Sequence, residues 1–224
     1  MKNLLISGLG SVGKYVYALA ENYDFSVACC IDKDKFKKVD CPIYSSFDEV
    51  KENIDAVIDF SSDPLCSNAV DFAIKNKCSF LSGTTALSEK TVAKIHDLSH
   101  NAAVCLAANY SKGMLLLYRL AKYASEKLPD FDGEIIEAHN RFKKDAPSGS
   151  AKELMKYADI TKTHSLRGGN VAGVHSVCFY GNGEEITITH RAYDKSVFAQ
   201  GALSAAKKLL EVPNGLYSAE ELLV

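Results

Sequence analysis

Three observations predict the fold class. Strands alternate with helices over the first 110 residues, a glycine-rich turn follows the first strand, and the pattern changes after residue 110. Together they predict an α/β chain: a Rossmann-like doubly wound parallel sheet, then a smaller α+β domain with an open mixed sheet.

The elements follow in order. "KNLLIS" (2–7) is a short apolar run stopped by glycine, which reads as a buried strand. In "GLGSVGKYVYALAENY", Val12, Val16, Leu19 and Ala20 recur at helical spacing, so a helix should start near Ser11. "FSVACCID" (25–32) reads as a second strand ending in an acid, and "AVIDFSS" (56–62) as a third with its turn. "NAVDFAIKNK" (68–77) is helical, and "CSFLSGTT" (78–85) is a strand and turn. "SEKTVAKIHDLSH" (88–100) is a helix with Ser88 as N-cap, and "AAVCLAANYS" (102–111) is again a strand.

Beyond this point "GMLLLYRLAKYASEKL" (113–128) is a longer amphipathic helix, and "DGEIIEAHN" (132–140) alternates like a strand. "AKELMKYA" (151–158) is helical. "GVHSVCFYG" (173–181) and "EEITITHRA" (184–192) flank "GNGE", whose Asn-Gly pair marks a tight antiparallel hairpin. "SVFAQGALSAAKKLLE" (196–211) is a last helix that could return to the first domain. The expected organisation is therefore a dinucleotide-binding domain of residues 1–110 plus 196–224, and a second domain of residues 111–195.

Composition narrows the function. The chain is 47% hydrophobic and 24% charged, with a formal net charge of −2, so no basic field argues for nucleic acid. No apolar run approaches the roughly 18 residues that a membrane span needs. The start "MKNLLISGLGSVG" reads as a first strand and not as a signal peptide. The seven cysteines are scattered without a Cys-x-x-Cys pair, so no metal site is expected; reduced, buried thiols in the cytoplasm are.

Gly8, Gly10, Ser11, Val12 and Gly13 belong to a G-x-G-x-x-G pattern placed after a strand and opening a helix. There the backbone can approach a pyrophosphate, and the helix start offers it N–H groups. Asp32, 19 positions after Gly13, could accept hydrogen bonds from the ribose hydroxyls of NAD. That would favour NADH, whereas Lys33 and Lys35 could instead hold the 2′-phosphate of NADPH. The turns "DFSS" (59–62) and "GTT" (83–85) end two further strands, where they could line ribose and nicotinamide or only cap their loops.

The densest chemistry lies in "EAHNRFKKDAPSGSAKEL" (137–154). His139 can exchange a proton near neutral pH. Arg141, Lys143 and Lys144 surround it with positive charge, which should lower its pKa. Ser148, Gly149 and Ser150 then open a helix, a place where anions bind. Cations beside a helix N-terminus suit a carboxylate or a phosphate.

These residues carry a resemblance. "EAHNRFKKDAPSGSA" resembles the E-x-H-x-x-x-K-x-D-A-P-S-G-T-A signature of the 4-hydroxy-tetrahydrodipicolinate reductase (dihydrodipicolinate reductase) family. "DFSS", "GTTAL", "AANYSKGM" and "LRGGNVAGVHSVCFYGNGEEITITHRAYDKSVFAQGAL" resemble its other motifs in the same order, as does "GLYSAEELL" near the end. The resemblance implies NADH- or NADPH-dependent reduction of a cyclic dicarboxylate in lysine and diaminopimelate biosynthesis. It implies His139 and Lys143 as proton donors, with Lys143 also pairing a substrate carboxylate. Asn140, Ser148, Gly149, Ser150 and Lys195 would bind substrate. Phe60, Ser61, Gly83, Thr84, Thr85, Ala107, Asn109 and Tyr110 would contact the cofactor. The family's second domain often builds a tetramer, so a homo-oligomer is expected, a dimer if the short second domain prevents more. Four departures stand out. Ala86 replaces a glycine, Ala108 a proline, Ser150 a threonine, and Lys195 an arginine, whose planar fork is lost.

Overall fold

The structure is a computed structural model that describes residues 1–34 and 38–224. Lys35 lies outside the described residues. The chain divides into two compact units, residues 1–110 with 196–224, and residues 111–195.

The first unit is a seven-stranded sheet, every neighbouring pair parallel. Its elements in chain order begin with β1 (Lys2–Ser7), α1 (Gly13–Leu19), β2 (Phe25–Ile31) and β3 (Ile43–Tyr44). They continue with β4 (Ala56–Asp59), α2 (Asp63–Asn76), β5 (Ser79–Ser82), α3 (Glu89–Ser99) and β6 (Ala103–Leu106). The second unit holds α4 (Lys112–Lys127), β7 (Asp132–His139), α5 (Gly149–Ala158), β8 (Thr163–Arg167), β9 (Gly173–Tyr180) and β10 (Glu185–Ala192). The chain then completes the first unit with α6 (Ser196–Leu209), β11 (Gly215–Tyr217) and α7 (Ala219–Leu223).

The strand order is β11-β6-β5-β4-β1-β2-β3. The order reverses at β1, between β2 on one side and β4 on the other, so the crevice for a ligand opens beyond the carboxyl ends of β1 and β4. Strands buried on both faces need continuous apolar runs, and "LLI" and "AVI" supply them. Leu5, Val57, Phe80 and Val104 pack with Val70, Ile95 and Leu98 of the flanking helices.

Several boundaries differ from the sequence reading. α2 begins at Asp63, five residues before the apolar periodicity starts; Pro64 sits in its first turn, where the missing N–H costs nothing. The strand expected over 102–111 ends at Leu106. The short strands β3 and β11 fall below the length at which periodicity is visible. β8 was not expected at all, because "THSLR" shows no alternation of apolar side chains.

The second unit is a mixed four-stranded sheet of order β10-β9-β7-β8. β7 pairs antiparallel with β9 and parallel with β8, and β9 and β10 form the expected hairpin. Gly183 takes φ +93° in its turn, a conformation that glycine adopts without a steric cost. One face of the sheet carries Ile135, Val177 and Phe179, all buried. α4 and α5 pack against each other with Tyr118 and Tyr157 stacked at 5.0 Å between ring centroids.

Candidate active site

In the first unit the site-forming residues sit at the carboxyl ends of β1, β2, β4, β5 and β6. Gly8 has φ +88°, and a Cβ there would lie 2.5 Å from the Phe60 carbonyl oxygen. A Cβ on Gly13 would lie 1.8 Å from the Gly8 carbonyl oxygen. Both glycines are therefore demanded by the fold. Gly10 is not, since a Cβ there would meet nothing within 4 Å. Gly10 and Ser11 are exposed, and Val12 half-buried, around this open backbone. An exposed glycine that packing does not need fits a backbone that a pyrophosphate must approach closely.

Asp32 braces the same loop. Its carboxylate accepts from the Leu9 amide at 2.7 Å and from the Asp34 amide at 3.0 Å. Lys33 is exposed beside it. Sequence reasoning missed Asp59, whose fully buried carboxylate organises the next two turns. It accepts from the hydroxyls of Ser61, Ser82 (2.9 Å) and Thr84 (2.6 Å). Thr84 Oγ1 in turn accepts from the Ser61 amide at 2.8 Å, tying "DFSS" to "GTT".

The Phe60 ring lies against Gly83, where a Cβ would come within 2.1 Å of it. Thr85 is exposed; Ala107 and Asn109 are half-buried. Tyr110 differs from the other expected cofactor residues. Its side chain is buried and its hydroxyl donates to the Ser82 carbonyl at 2.7 Å, so it supports the turns from below. Ala86 has φ +56°. The glycine that the resemblance leads one to expect there would take this conformation freely; alanine takes it with strain.

In the second unit the strand register assembles the chemistry. Glu137 and His139 are two residues apart on β7 and so share a face. Across the sheet His139 pairs with Arg167 of β8, and Glu137 with His175 of β9. The Nδ1 of His139 hydrogen-bonds to Glu137 Oε2. Arg167 grips both Glu137 oxygens, at 2.9 and 2.7 Å, and donates to the Asp145 carbonyl at 2.6 Å. The Ser148 amide donates to Glu137 Oε1 at 3.3 Å. Ser148 Oγ caps α5 by accepting from the Ala151 amide at 3.2 Å, and it lies 3.1 Å from His175 Nε2. The rings of His139 and His175 meet edge to face with centroids 5.1 Å apart.

The electrostatics follow from these contacts. Burial alone would raise the Glu137 carboxyl, but Arg167, Ser165 and His139 outweigh it and hold it at about 2. Burial lowers the pKa of His139; Glu137 partly opposes this, and the charges of Lys143 and Arg167 add to it. The cationic surround is thus a real contribution, but burial is the larger one. His175 is pushed down to about 4 by burial and by the neighbouring His139. Its Nδ1 is buried without a hydrogen-bond partner among the described residues.

The remaining expected residues are placed less tightly. Lys143 pairs with Asp145 at 2.9 Å. Asn140 Oδ1 accepts from the Phe142 amide at 3.0 Å, and its carbonyl accepts from the Lys143 amide at 3.1 Å. These bonds fold the loop that carries Lys143. Gly149 is exposed at the start of α5, and Ser150 half-buried. Lys195 is exposed after β10 and is not among the side chains hydrogen-bonded around His139. Glu137, Arg167 and His175 were missed. For Glu137 the signal was present in the alternation of "EAH"; for the other two only the register reveals it.

Comparison with known proteins agrees over both units. Residues 2–110 match "Dihydrodipicolinate reductase, N-terminus" and residues 113–223 match "Dihydrodipicolinate reductase, C-terminus". The chain belongs to the dihydrodipicolinate reductase family. A 4-hydroxy-tetrahydrodipicolinate reductase of Caldanaerobacter subterraneus is 40% identical, covering 99% of this chain and 98% of that one. The reductase of Exiguobacterium sibiricum is 35% identical, covering 98% and 95%. A dipicolinate-bound dihydrodipicolinate reductase from Paenisporosarcina sp. TG-14 shares the fold, with TM-score 0.87, 20% identity and full coverage of both chains. Among the described residues no helix is long and apolar enough to cross a membrane, and no group of three metal-ligating side chains occurs.

Proposed function

We propose that this chain reduces 4-hydroxy-tetrahydrodipicolinate to tetrahydrodipicolinate with NADH or NADPH, in lysine and diaminopimelate biosynthesis. The observation that carries the reading is one group of side chains in the second unit: His139 on its carboxylate, within the field of Lys143 and Arg167, beside the capped N-terminus of α5. A dicarboxylate is matched by cations and a helix N-terminus, and reduction at carbon needs a proton source at hand. On this reading residues 1–110 with 196–224 hold the dinucleotide, and residues 111–195 hold the substrate and the self-association surface.

When bound, the dinucleotide supplies the hydride that adds at C4 of the ring. Gly10, Ser11, Val12 and Gly13 would hold its pyrophosphate, Asp32 its adenosine ribose, and the turns braced by Asp59 its nicotinamide end. Ser148, Gly149 and Ser150 would bind one substrate carboxylate, with Asn140 and Lys195 as further contacts. Lys143 would exchange Asp145 for the other carboxylate. His139 would deliver a proton from Nε2, and Lys143 is the second candidate donor. Binding a dianion beside His139 favours the imidazolium, which offsets the burial that depresses its pKa in the free protein. The sheet face turned away from the helices carries Ile136, Ala138, Leu166 and Val174, with Leu166 57% exposed, and is the surface we assign to a homo-oligomer.

The test is a coupled assay. Pyruvate and aspartate semialdehyde are condensed by the upstream synthase, the protein is added, and reduced nicotinamide is followed with NADH and with NADPH. Oxidation that requires the condensation product supports the reading; dinucleotide binding without turnover defeats it.

Two substitutions test the roles. Lys143→Ala should raise the substrate KM about ten-fold or more, the loss of a charged hydrogen bond, and lower kcat as well. Unchanged substrate binding would remove its carboxylate role. Asp32→Ala should lower the ratio of kcat/KM for NADH over NADPH about ten-fold. Because Asp32 also braces Leu9, affinity for both dinucleotides should fall; an unchanged ratio would mean that the ribose is read elsewhere.

A further inference from the structure

We propose that Glu137 is a positioning residue for this reaction: ionised by Arg167, it fixes His139 in the Nδ1–H tautomer and thereby leaves Nε2 as the nitrogen that exchanges the proton. The inference deepens the functional reading above and rests on it for the proton-donor role of His139.

Three observations support it. Glu137 is fully buried, yet both its oxygens are occupied by donors, two from Arg167, one from the Ser148 amide and one from His139. A buried carboxylate in that company accepts and does not donate, so the hydrogen between Glu137 and His139 belongs to Nδ1. Arg167 is set by the register pair His139–Arg167, not by a flexible loop. Finally, the opposite nitrogen faces a glycine and not a side chain. A Cβ on Gly173 would sit 3.2 Å from His139 Nε2, so the glycine keeps a side chain from crowding that edge of a ring that is otherwise largely buried.

The groups that face His139 come from every neighbouring segment: Glu137 on β7, Arg167 on β8, His175 on β9, and Lys143 from the following loop. Only Glu137 among them stabilises the imidazolium; the charges of Lys143 and Arg167 disfavour it. Glu137 thus does two things for a proton donor. It sets the ring's tautomer and orientation, and it keeps the pKa from falling out of the useful range.

The decisive measurement needs no substrate. Nitrogen-15 NMR of the full chain with labelled histidine should show His139 with a protonated Nδ1 and a bare Nε2 at neutral pH. A protonated Nε2 and bare Nδ1 would overturn the proposal outright, whether or not the protein turns over. In Glu137→Gln the tautomer should become mixed, kcat should fall ten-fold or more, and NADH affinity should hold. The basic limb of kcat/KM should move down by about one unit, the effect of losing a nearby opposite charge. Glu137→Asp should restore part of the limb position. Because Glu137→Gln strands Arg167, the double variant E137Q/R167Q, which removes both charges at similar volume, is measured beside it. An unmoved tautomer in either folded variant, or an unmoved pH limb in Glu137→Gln, would reduce Glu137 to a structural role and defeat the proposal; in the double variant the two lost charges act on the limb in opposite directions, so there the tautomer is the readout. Failure of the wild-type assay would instead defeat the functional reading and leave the tautomer result standing.

Discussion

Replacing His139 with glutamine or alanine should lower kcat by about two to three orders of magnitude, the usual contribution of a positioned general acid. NADH affinity should stay within about two-fold, because the residues assigned to the dinucleotide belong to the other unit. An equal loss of cofactor affinity would sink the acid role. The pH dependence sharpens the test. In the free protein burial lowers the pKa of His139, so the protonated form is scarce at neutral pH. Since kcat/KM reports free-enzyme groups, it should fall on a basic limb that lies below the ordinary histidine value. A bound dianion raises the same pKa, so the limb in kcat should lie at higher pH than the limb in kcat/KM. In His139→Gln both limbs should flatten. A wild-type profile with the two limbs in the reverse order would contradict the picture of a proton donor poised by substrate charge.

The sequence revealed some parts of this site and hid others, for physical reasons. Gly8, Gly10 and Gly13 were legible because a strand before them and a helix after them leave little else for three such glycines to do. The structure then separates their reasons: Gly8 and Gly13 answer to neighbouring backbone, Gly10 to open space. Asp59 stands in "DFSS" without a signal of its own, because nothing local distinguishes a buried carboxylate from a loop cap. Its partners Ser82 and Thr84 arrive from another strand, more than 20 residues along the chain. Glu137 and His139 could have been paired from alternation alone. Arg167 could not, since it lies on β8, a strand whose side chains are half-buried or exposed and give no periodic signal. Pairing information of this kind resides in register, which one sequence does not display. The helix α5 was legible at its start because Ser148 is a good N-cap ahead of an amphipathic run, and Ser148 does cap it. That the same Ser148 also links Glu137 to His175 was invisible.

Stability should fall on the acid side in two stages, the first controlled by His175. Its pKa in the folded protein is about 4, against 6.5 for an unperturbed histidine, because the ring is buried beside His139. Above pH 6.5 neither the folded nor the unfolded form carries the proton, and the fold keeps its full stability. Below it the unfolded chain takes up a proton that the fold refuses, so stability declines until about pH 4. A shift of this size corresponds to about 3 kcal/mol. His139 and His190, also lowered by burial, add to the same window. The second stage belongs to Glu137. Its folded pKa of about 2 lies below the ordinary 4.5, so its contribution is present above 4.5 and is lost as pH falls toward 2. Thermal melts read the sequence of events. Between pH 7 and pH 4 the melting temperature should drop by roughly ten degrees, at several degrees per kcal/mol for a domain of this size. His175→Gln keeps an apolar stem and a side-chain amide but removes the titration. It should lower the melting temperature at pH 7 and flatten the slope between pH 6.5 and 4. A variant whose curve merely runs parallel to the wild type would show that His175 is not the group refusing the proton. The same burial that makes His139 responsive to a bound dianion thus costs this unit its acid resistance, and both effects arise from one row of side chains set by the register of β7, β8 and β9.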